Sequence, residues 1–229
     1  MHDRVSILVP VFNNAETLRD LVTAVSREAA RASRDIQFVF VEDCSQDRSR
    51  EVLREMRCDG VLVVENTENI GQQASIFKGL SACDGQVIVV MDADLQDPPE
   101  AVPDLLKALH GGAHDVVFAT RVGAYQSRRR MLFSRWFRFL MRRLTNLPVG
   151  AGGFLAMTSD VARTLRQKKS PRFYLTGLIG CGGYRITSIP VRRNHRPAGA
   201  SSYSGRMRLS LGLTNLSVIL HERFIRGQR

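Results

Sequence analysis

The chain has 229 residues, 44% of them hydrophobic and 24% charged; these proportions suit one sizeable folded unit and exclude collagen-like, coiled-coil and wholly disordered chains. No apolar run reaches the roughly 18 residues of a membrane-spanning helix, and the opening Met1-His2-Asp3-Arg4 lacks a signal peptide's charged head and cleavage site. The net charge of +11 conceals a division. Residues 1–115 carry 11 Lys and Arg against 20 Asp and Glu, whereas residues 116–229 carry 22 against 2, Asp160 and Glu222. Such asymmetry predicts an anionic partner for the second half: a phosphate, a membrane surface or nucleic acid.

In chain order, residues 5–11 form a short β-rich run that ends in Asn13-Asn14. Residues 17–32 then place Leu18, Leu21, Val22 and Val25 on one helical face. A second strand over 36–41 is closed by the polar run 42–47, and a helix follows over about 49–56. A strand at 61–64 and a loop at 66–71 lead to a helix near 73–82. Residues 87–91 are apolar at every position, as a centre strand covered on both faces requires. Pro98-Pro99-Glu100 opens the next helix, with proline early, where its missing N–H does no harm. A fifth strand spans 115–120. The second half is less regular, with a basic amphipathic helix over about 130–145, a Gly-rich bend at 150–153 and shorter helices. A strand near 184–191 and a final helix from about Met207 complete it.

Strands alternating with helices predict an α/β fold of one domain, a mostly parallel sheet sandwiched by helices. In such sheets the ligand lies beyond the carboxyl ends of the strands. The clusters closing the strands here are Asn13-Asn14, Glu42-Asp43, Glu65-Asn66 and Asp92-Ala93-Asp94, and all of them gather at that edge. Two carboxylates two residues apart, just past a buried strand, suit Mg2+ or Mn2+ that is also bound by substrate phosphates, and Gln96 adds a neutral oxygen. The plainer alternative is a capped helix start, with Asp94 or Asp97 as the cap. The acidic strand ends alongside favour the metal. The four cysteines, Cys44, Cys58, Cys83 and Cys181, are scattered and predict reduced thiols in a cytoplasmic protein.

Residues 5–14, 39–47, 69–73 and 91–100, in that order, resemble the family 2 glycosyltransferases of the GT-A, Rossmann-like fold. The run Asp92-Ala-Asp-Leu-Gln-Asp-Pro-Pro-Glu100 is most similar to the polyprenyl-phosphate and dolichol-phosphate sugar transferases, and weaker matches continue to about residue 210. The resemblance implies that Asp92, Asp94 and Gln96 hold a divalent metal, Mg2+ or Mn2+, on the donor diphosphate, with Asp94 central to catalysis. It also implies that Pro10, Phe12 and Asp43 line the nucleotide-base pocket, with Asn14, Asn69 and Gly71 nearby. Asn14 stands where many relatives have Glu, and Glu68 where many have Arg. Both departures leave the donor base open between UDP-, GDP- and dTDP-linked sugars.

In these relatives an Arg after the fifth strand, an Arg and a Ser four residues apart on the next helix, and an Arg in a late loop handle phosphates. The matching positions are Arg121, the pair Arg130 and Ser134, and Arg196; Arg128 or Arg129 can take the place of Arg130. Guanidinium groups grip phosphate oxygens in pairs, so the residue types suit the task. A solvated helix start is the plain alternative for 128–130. Many relatives have Asp in the bend that here reads Ala151-Gly152-Gly153-Phe154, and Ser202 stands where Lys is common. A sugar hydroxyl needs a carboxylate base, whereas a phosphate monoester is already an anion. The missing base and the abundant arginine predict a lipid phosphate acceptor. Asp97 remains a candidate base.

Arg135, Arg138, Arg142 and Arg143 alternate with Trp136, Phe137, Phe139, Leu140 and Met141. The pattern is that of a basic surface lying on anionic lipid, or of a core-packed helix with a charged outer stripe. The expectation is a metal-dependent inverting glycosyltransferase that moves a sugar from a nucleotide-sugar donor to a polyprenyl phosphate. Residues 1–120 would form its nucleotide-sugar and metal half, and 121–229 its basic acceptor half. It would be cytoplasmic and peripheral to an anionic membrane surface on the inner face of the cell membrane. The nearest rival keeps the donor and substitutes a hydroxyl acceptor. A nucleic-acid partner is disfavoured, since no recognised module or aromatic platform is present, and a nucleotidyltransferase lacks its Gly-rich, Lys-bearing N-terminal loop.

Overall fold

The computed structural model describes residues 4–32, 34–57, 60–121, 144–168, 173–192 and 217–222. The elements in chain order are β1 (Val5–Val11), α1 (Leu18–Arg31), β2 (Ile36–Glu42), α2 (Ser49–Glu55), β3 (Val61–Glu65), α3 (Gln72–Leu80) and β4 (Val87–Val90). Then come α4 (Val102–His110), β5 (Val116–Arg121), β6 (Leu155–Thr158), α5 (Ser159–Arg166), α6 (Leu175–Cys181) and β7 (Ile186–Val191). The strands join in one sheet of order β3-β2-β1-β4-β6-β5-β7. β1 pairs parallel with β2 and β4, β2 with β3, and β5 with β7. β6 alone runs antiparallel, between β4 and β5. The sheet is therefore mostly parallel, as expected, and β4 is its central strand.

Side chains alternate across each strand and supply two cores. Ile7, Val9, Phe38, Phe40 and Val89 meet α1 and α4 on one face. Leu8, Val39, Val41, Ile88, Val90, Phe118 and Leu155 meet α3, α5 and α6 on the other. Each fully buried Leu, Ile or Phe contributes about 1.5–3 kcal/mol by leaving water, so the central strands, which feed both cores, hold the three layers together. α3 lies close on its face because Gly79 has no side chain. A Cβ there would meet Leu8 Cδ1 at 2.3 Å and Val41 Cγ2 at 2.7 Å.

Two features differ from the sequence-based expectation. No strand was expected over 155–158; β6 is four residues long and owes its place to pairing with β4 and β5. Pro99–Ala101 forms a 3₁₀ turn, and the α-helix proper starts at Val102 with Pro103 in its first turn. Residues 217–222 are helical, but most of the expected final helix and of the basic helix over 130–145 lies outside the described residues. Among the described residues no helix is long and apolar enough to cross a membrane. Both acids of the second half are ion-paired, Asp160 with Arg163 and Glu222 with Lys168.

The start of β5 is clamped to the start of β7. Arg185 donates through Nη2 to Asp115 Oδ1 at 2.6 Å and through its backbone N–H to Oδ2 at 2.8 Å. The Arg185 hydrogen bond holds the Asp115 carboxyl below the usual carboxylate range. A depressed carboxyl adds stability above its unfolded value, and that contribution is lost as pH falls through the folded value. Arg185→Ala should therefore lower the urea midpoint at pH 7, with the gap to the unmodified chain closing as falling pH protonates the paired carboxyl. A gap that stays constant with pH would show that the ion pair plays no part.

Candidate active site

The carboxyl ends of β1, β2, β3 and β4 converge on one edge, and the backbone is strained there. Among the described residues the non-glycine positions with positive φ are Asn13 (56°), Cys44 (60°) and Leu95 (57°). They follow the ends of β1, β2 and β4. Left-handed backbone at a non-glycine residue costs of order 1–3 kcal/mol and persists where the surroundings impose it. Local hydrogen bonds do so here. Asn13 Oδ1 accepts the Gln46 N–H at 2.8 Å, and the Asn13 N–H meets Ser45 Oγ at 3.1 Å. Asn14 Oδ1 accepts the Phe12 N–H at 3.2 Å. Asp47 takes the N–H groups of Ala15 and Ser49 at 3.0 and 2.9 Å. Burial pushes the Asp47 carboxyl up, but the hydrogen bonds from Ser49 and Ala15 outweigh it and leave it below the usual range.

Glu42 and Asp43, adjacent in sequence, serve opposite sides. Glu42 is fully buried; its Oε1 accepts the Ser45 N–H, and its Oε2 accepts Arg50 Nε and Nη2 at 3.1 and 3.0 Å. Asp43, 3% exposed, reaches toward the loop before α3. Its Oδ1 accepts the Ile70 N–H at 2.9 Å and Asn66 Nδ2 at 2.8 Å, and its Oδ2 accepts the Gly71 N–H at 2.8 Å. Gly71 sits at φ 84° and ψ 156°, a conformation that side-chain-bearing residues avoid. Asn66 is held in turn by Lys78 Nζ at 2.6 Å and meets Ser75 Oγ at 3.2 Å.

The stretch after β4 folds back on itself. The left-handed Leu95 turns the chain, Asp94 Oδ1 accepts the Gln96 N–H at 3.1 Å, and Asp97 Oδ2 accepts the Asp92 N–H at 3.2 Å. Thr17, just before α1, ties the turn down by donating to the Ala93 carbonyl at 2.6 Å. Asp92 and Asp94 stay half-buried, whereas Asp97 is 5% exposed. From the other side, Gln72 at the start of α3 donates its amide to Asp92 Oδ1 at 2.7 Å. The donor set of Asp92, Asp94 and Gln96 is all oxygen and fits a hard divalent cation. No group of three or more His, Cys, Asp and Glu able to cage a metal exists among the described residues. A cation here would thus complete its shell with substrate oxygens and water, the usual habit of Mg2+.

Pro10 is buried in β1, Phe12 stands 38% exposed at its end, and Asn69 is exposed in the loop that Asp43 grips. With Asn14, Gly71, Asp92, Asp94 and Gln96 they share this edge. Arg121 closes β5 opposite Val191, and nothing is described of its side chain. Arg130, Ser134 and Arg196 lie outside the described residues, as does the basic stretch 135–143. A slot of about 10 Å³ is lined by Asp97, Gly152, Gly153 and Phe154. A Cβ at Gly152 or Gly153 would meet nothing within 4 Å, so space alone does not demand glycine there. A larger cavity, about 500 Å³, lies at the opposite edge, where Val5 and Val87 begin their strands and Asp115 precedes β5. It is remote from the carboxylates. Burial pushes the Cys83 thiol up to about 12, which leaves it unreactive at neutral pH.

The sequence reading did not foresee Gln72, Thr17 or Lys78 at this edge. Gln72 directly follows the Asn69-Ile70-Gly71 segment, and that adjacency was the available signal.

A model of glycosyl transferase family 2 matches residues 6–170. The chain belongs to that family and is a glycosyltransferase of the GT-A fold. It is 28% identical over 230 residues to the uncharacterized glycosyltransferase YkcC of Bacillus subtilis, covering 96% of this chain and 70% of the relative. It is 31% identical over 210 residues to the undecaprenyl-phosphate 4-deoxy-4-formamido-L-arabinose transferase of Edwardsiella ictaluri, covering 90% and 64%. A similar solved structure is glucosyl-3-phosphoglycerate synthase from Mycobacterium tuberculosis in complex with Mn2+, UDP and phosphoglyceric acid. Its TM-score is 0.72 at 18% identity, with 96% of this chain and 78% of that one covered.

Removing the Asp43 carboxylate strands the N–H groups of Ile70 and Gly71 beside a buried site. Hydrogen bonds to charged groups contribute about 1.5–3 kcal/mol each, and stranded donors add to the loss. Asp43→Ala should lower unfolding free energy in urea by roughly 3 kcal/mol. A change below about 0.5 kcal/mol, the size of an ordinary surface substitution, would show that the loop does not depend on it.

Proposed function

We propose that this glycosyltransferase moves a sugar, with inversion, from a nucleotide diphosphate to a polyprenyl phosphate in a divalent-metal-dependent reaction. The observation that carries the reading is the pair Asp92 and Asp94 at the end of the central strand, with Asp92 bonded to Gln72, which follows the loop that Asp43 holds. A cation bound by Asp92, Asp94 and Gln96, Mn2+ or Mg2+, would offset the negative charge that grows on the departing nucleoside diphosphate. Mn2+ with UDP in the similar mycobacterial synthase supports the donor side. Pro10, Phe12, Asn14, Asp43, Asn69 and Gly71 would frame the nucleotide. Phe12, at 38% exposure, offers a ring face to a base.

For the acceptor, the relative named for undecaprenyl phosphate supports a lipid phosphate. So does the glycine pair at 152–153, which offers no carboxylate base. A phosphate monoester needs positioning more than deprotonation, and Arg121, Arg130, Ser134 and Arg196 would provide it, so residues 121–229 act as the acceptor half. The strongly basic second half would suit a peripheral approach to an anionic membrane surface. One observation favours the second reading, a hydroxyl acceptor: Asp97 lines the slot beside Gly153 and is a carboxylate.

The deciding experiment incubates the protein with radiolabelled nucleotide sugar, Mn2+ and vesicles containing undecaprenyl phosphate. The expected product is a lipid-soluble label released by mild acid, and Asp94→Ala should reduce its formation about 100-fold or more while the fold survives. Label appearing only in acid-stable glycan or small-molecule products would replace the lipid acceptor with a hydroxyl. Full activity of Asp94→Ala would remove the metal role.

A further inference from the structure

Three consecutive residues at the entry to α3 tie together three distant parts of the molecule. Gly71 gives its N–H to the buried Asp43 at 2.8 Å. Gln72, the first residue of α3, gives its side-chain amide to Asp92 Oδ1 at 2.7 Å. Gln73 Oε1 accepts the N–H of Leu175, the first residue of α6, at 2.9 Å. The middle contact joins the proposed nucleotide loop to a proposed metal carboxylate. Gln72 is itself exposed, so its side chain is not placed by packing. Its backbone is placed by the Asp43 grip on the preceding Gly71. Asp92 is held on its other flank, at its backbone N–H, by Asp97.

We propose that Gln72 is a positioning residue: its amide fixes the Asp92 carboxylate in the attitude that receives the cation, and links that attitude to the order of residues 69–71. The assignment rests on the reading of Asp92 as a metal ligand. The chemistry of the amide supports it. A lysine or arginine at the same place would orient the carboxylate equally well, but its charge would compete with the incoming cation. A hydroxyl on a short side chain would not span the gap from helix to strand end. A neutral, two-carbon amide donor orients without neutralising. Partners that orient a metal ligand typically carry 10–100-fold in metal affinity. Because binding free energies are reciprocal, a nucleotide that orders the 69–71 loop raises cation affinity by the same factor as the cation raises its own.

The test uses the full chain without acceptor, so that no turnover occurs. Mn2+ binding is read from the loss of the free-ion electron paramagnetic resonance signal, with and without UDP or GDP. The variants are Gln72→Met, which keeps length and removes the donor, and Asp94→Ala. Gln72→Met should weaken Mn2+ binding about 10-fold and leave the urea midpoint unchanged. It should also leave unchanged the thermal shift produced by nucleotide in EDTA, which a merely distorted loop would alter. Mn2+ binding that is lost in Asp94→Ala but untouched in Gln72→Met overturns the role of Gln72 alone. A Gln72→Met chain whose metal-free nucleotide shift is lost along with its Mn2+ affinity overturns it too, by making Gln72 a loop residue. An unmodified chain that takes up no Mn2+ with or without nucleotide overturns the metal reading and this inference together.

Discussion

The arrangement at the carboxyl edge depends on one buried carboxylate that faces its own backbone. Asp43 follows β2 directly, and its two oxygens accept from Ile70, Gly71 and Asn66, residues 23 to 28 positions away. A carboxylate buried to this degree is tolerated only when hydrogen bonds replace the water it has lost. Here the replacements are backbone N–H groups of a loop with no regular structure of its own. The loop gains a fixed shape, including a glycine at φ 84°, and the carboxylate gains its partners. Neither would be stable alone. Gln72, which reaches Asp92, follows directly from this loop.

The cost of the edge is visible in the backbone. Left-handed Asn13, Cys44 and Leu95 stand just past three strand ends, each held by hydrogen bonds within or between the strand-end loops. The sheet beneath can bear this because the residues leading into those ends are fully buried. Val9, Val11, Val41, Val90 and Met91 lie at 0–1% exposure. Strain of a few kcal/mol at the rim is set against many such side chains, each contributing about 1.5–3 kcal/mol. A rigid floor with a strained rim would keep Asp92 and Asp94 in place for the cation proposed above.

The sheet was legible in sequence to the extent that burial on both faces writes itself as near-continuous apolar runs: β4 is unbroken, and Ser6 and Gln37 are the polar residues inside β1 and β2. β6 was not legible. Its four residues, Leu155–Thr158, are too short a run to declare a strand, and pairing with β4 and β5 makes them one. Polar residues closing the strands were equally plain, but their direction was not. Asp43 was expected beside a nucleotide base, and Asn14 near it; each is also occupied with local backbone, Asp43 with Ile70 and Gly71, Asn14 with Phe12. Which way a strand-end carboxylate turns is decided by a loop that arrives some 27 residues later, and no local pattern records that. Gln72 illustrates the same point. A glutamine opening a helix is unremarkable until the crossover brings it against Asp92.

The division of charge along the chain makes sense at this edge. Acids in the first half are largely engaged with neighbouring arginines. Glu42 pairs with Arg50, and Glu65 draws Arg54, Arg57 and Arg50, with the Arg54 hydrogen bond holding its carboxyl low. Their charge is thus answered within the fold. The second half holds two acids of its own, and both already have partners, Asp160 with Arg163 and Glu222 with Lys168. A surplus of fixed positive charge destabilises a compact chain unless anions offset it. Phosphate groups do so most effectively, because guanidinium meets them with two parallel hydrogen bonds. The two halves therefore differ in where their counter-charges come from. Part of the first half's charge is answered by ion pairs within the fold, whereas on the proposed reading a phosphate acceptor would answer that of the second.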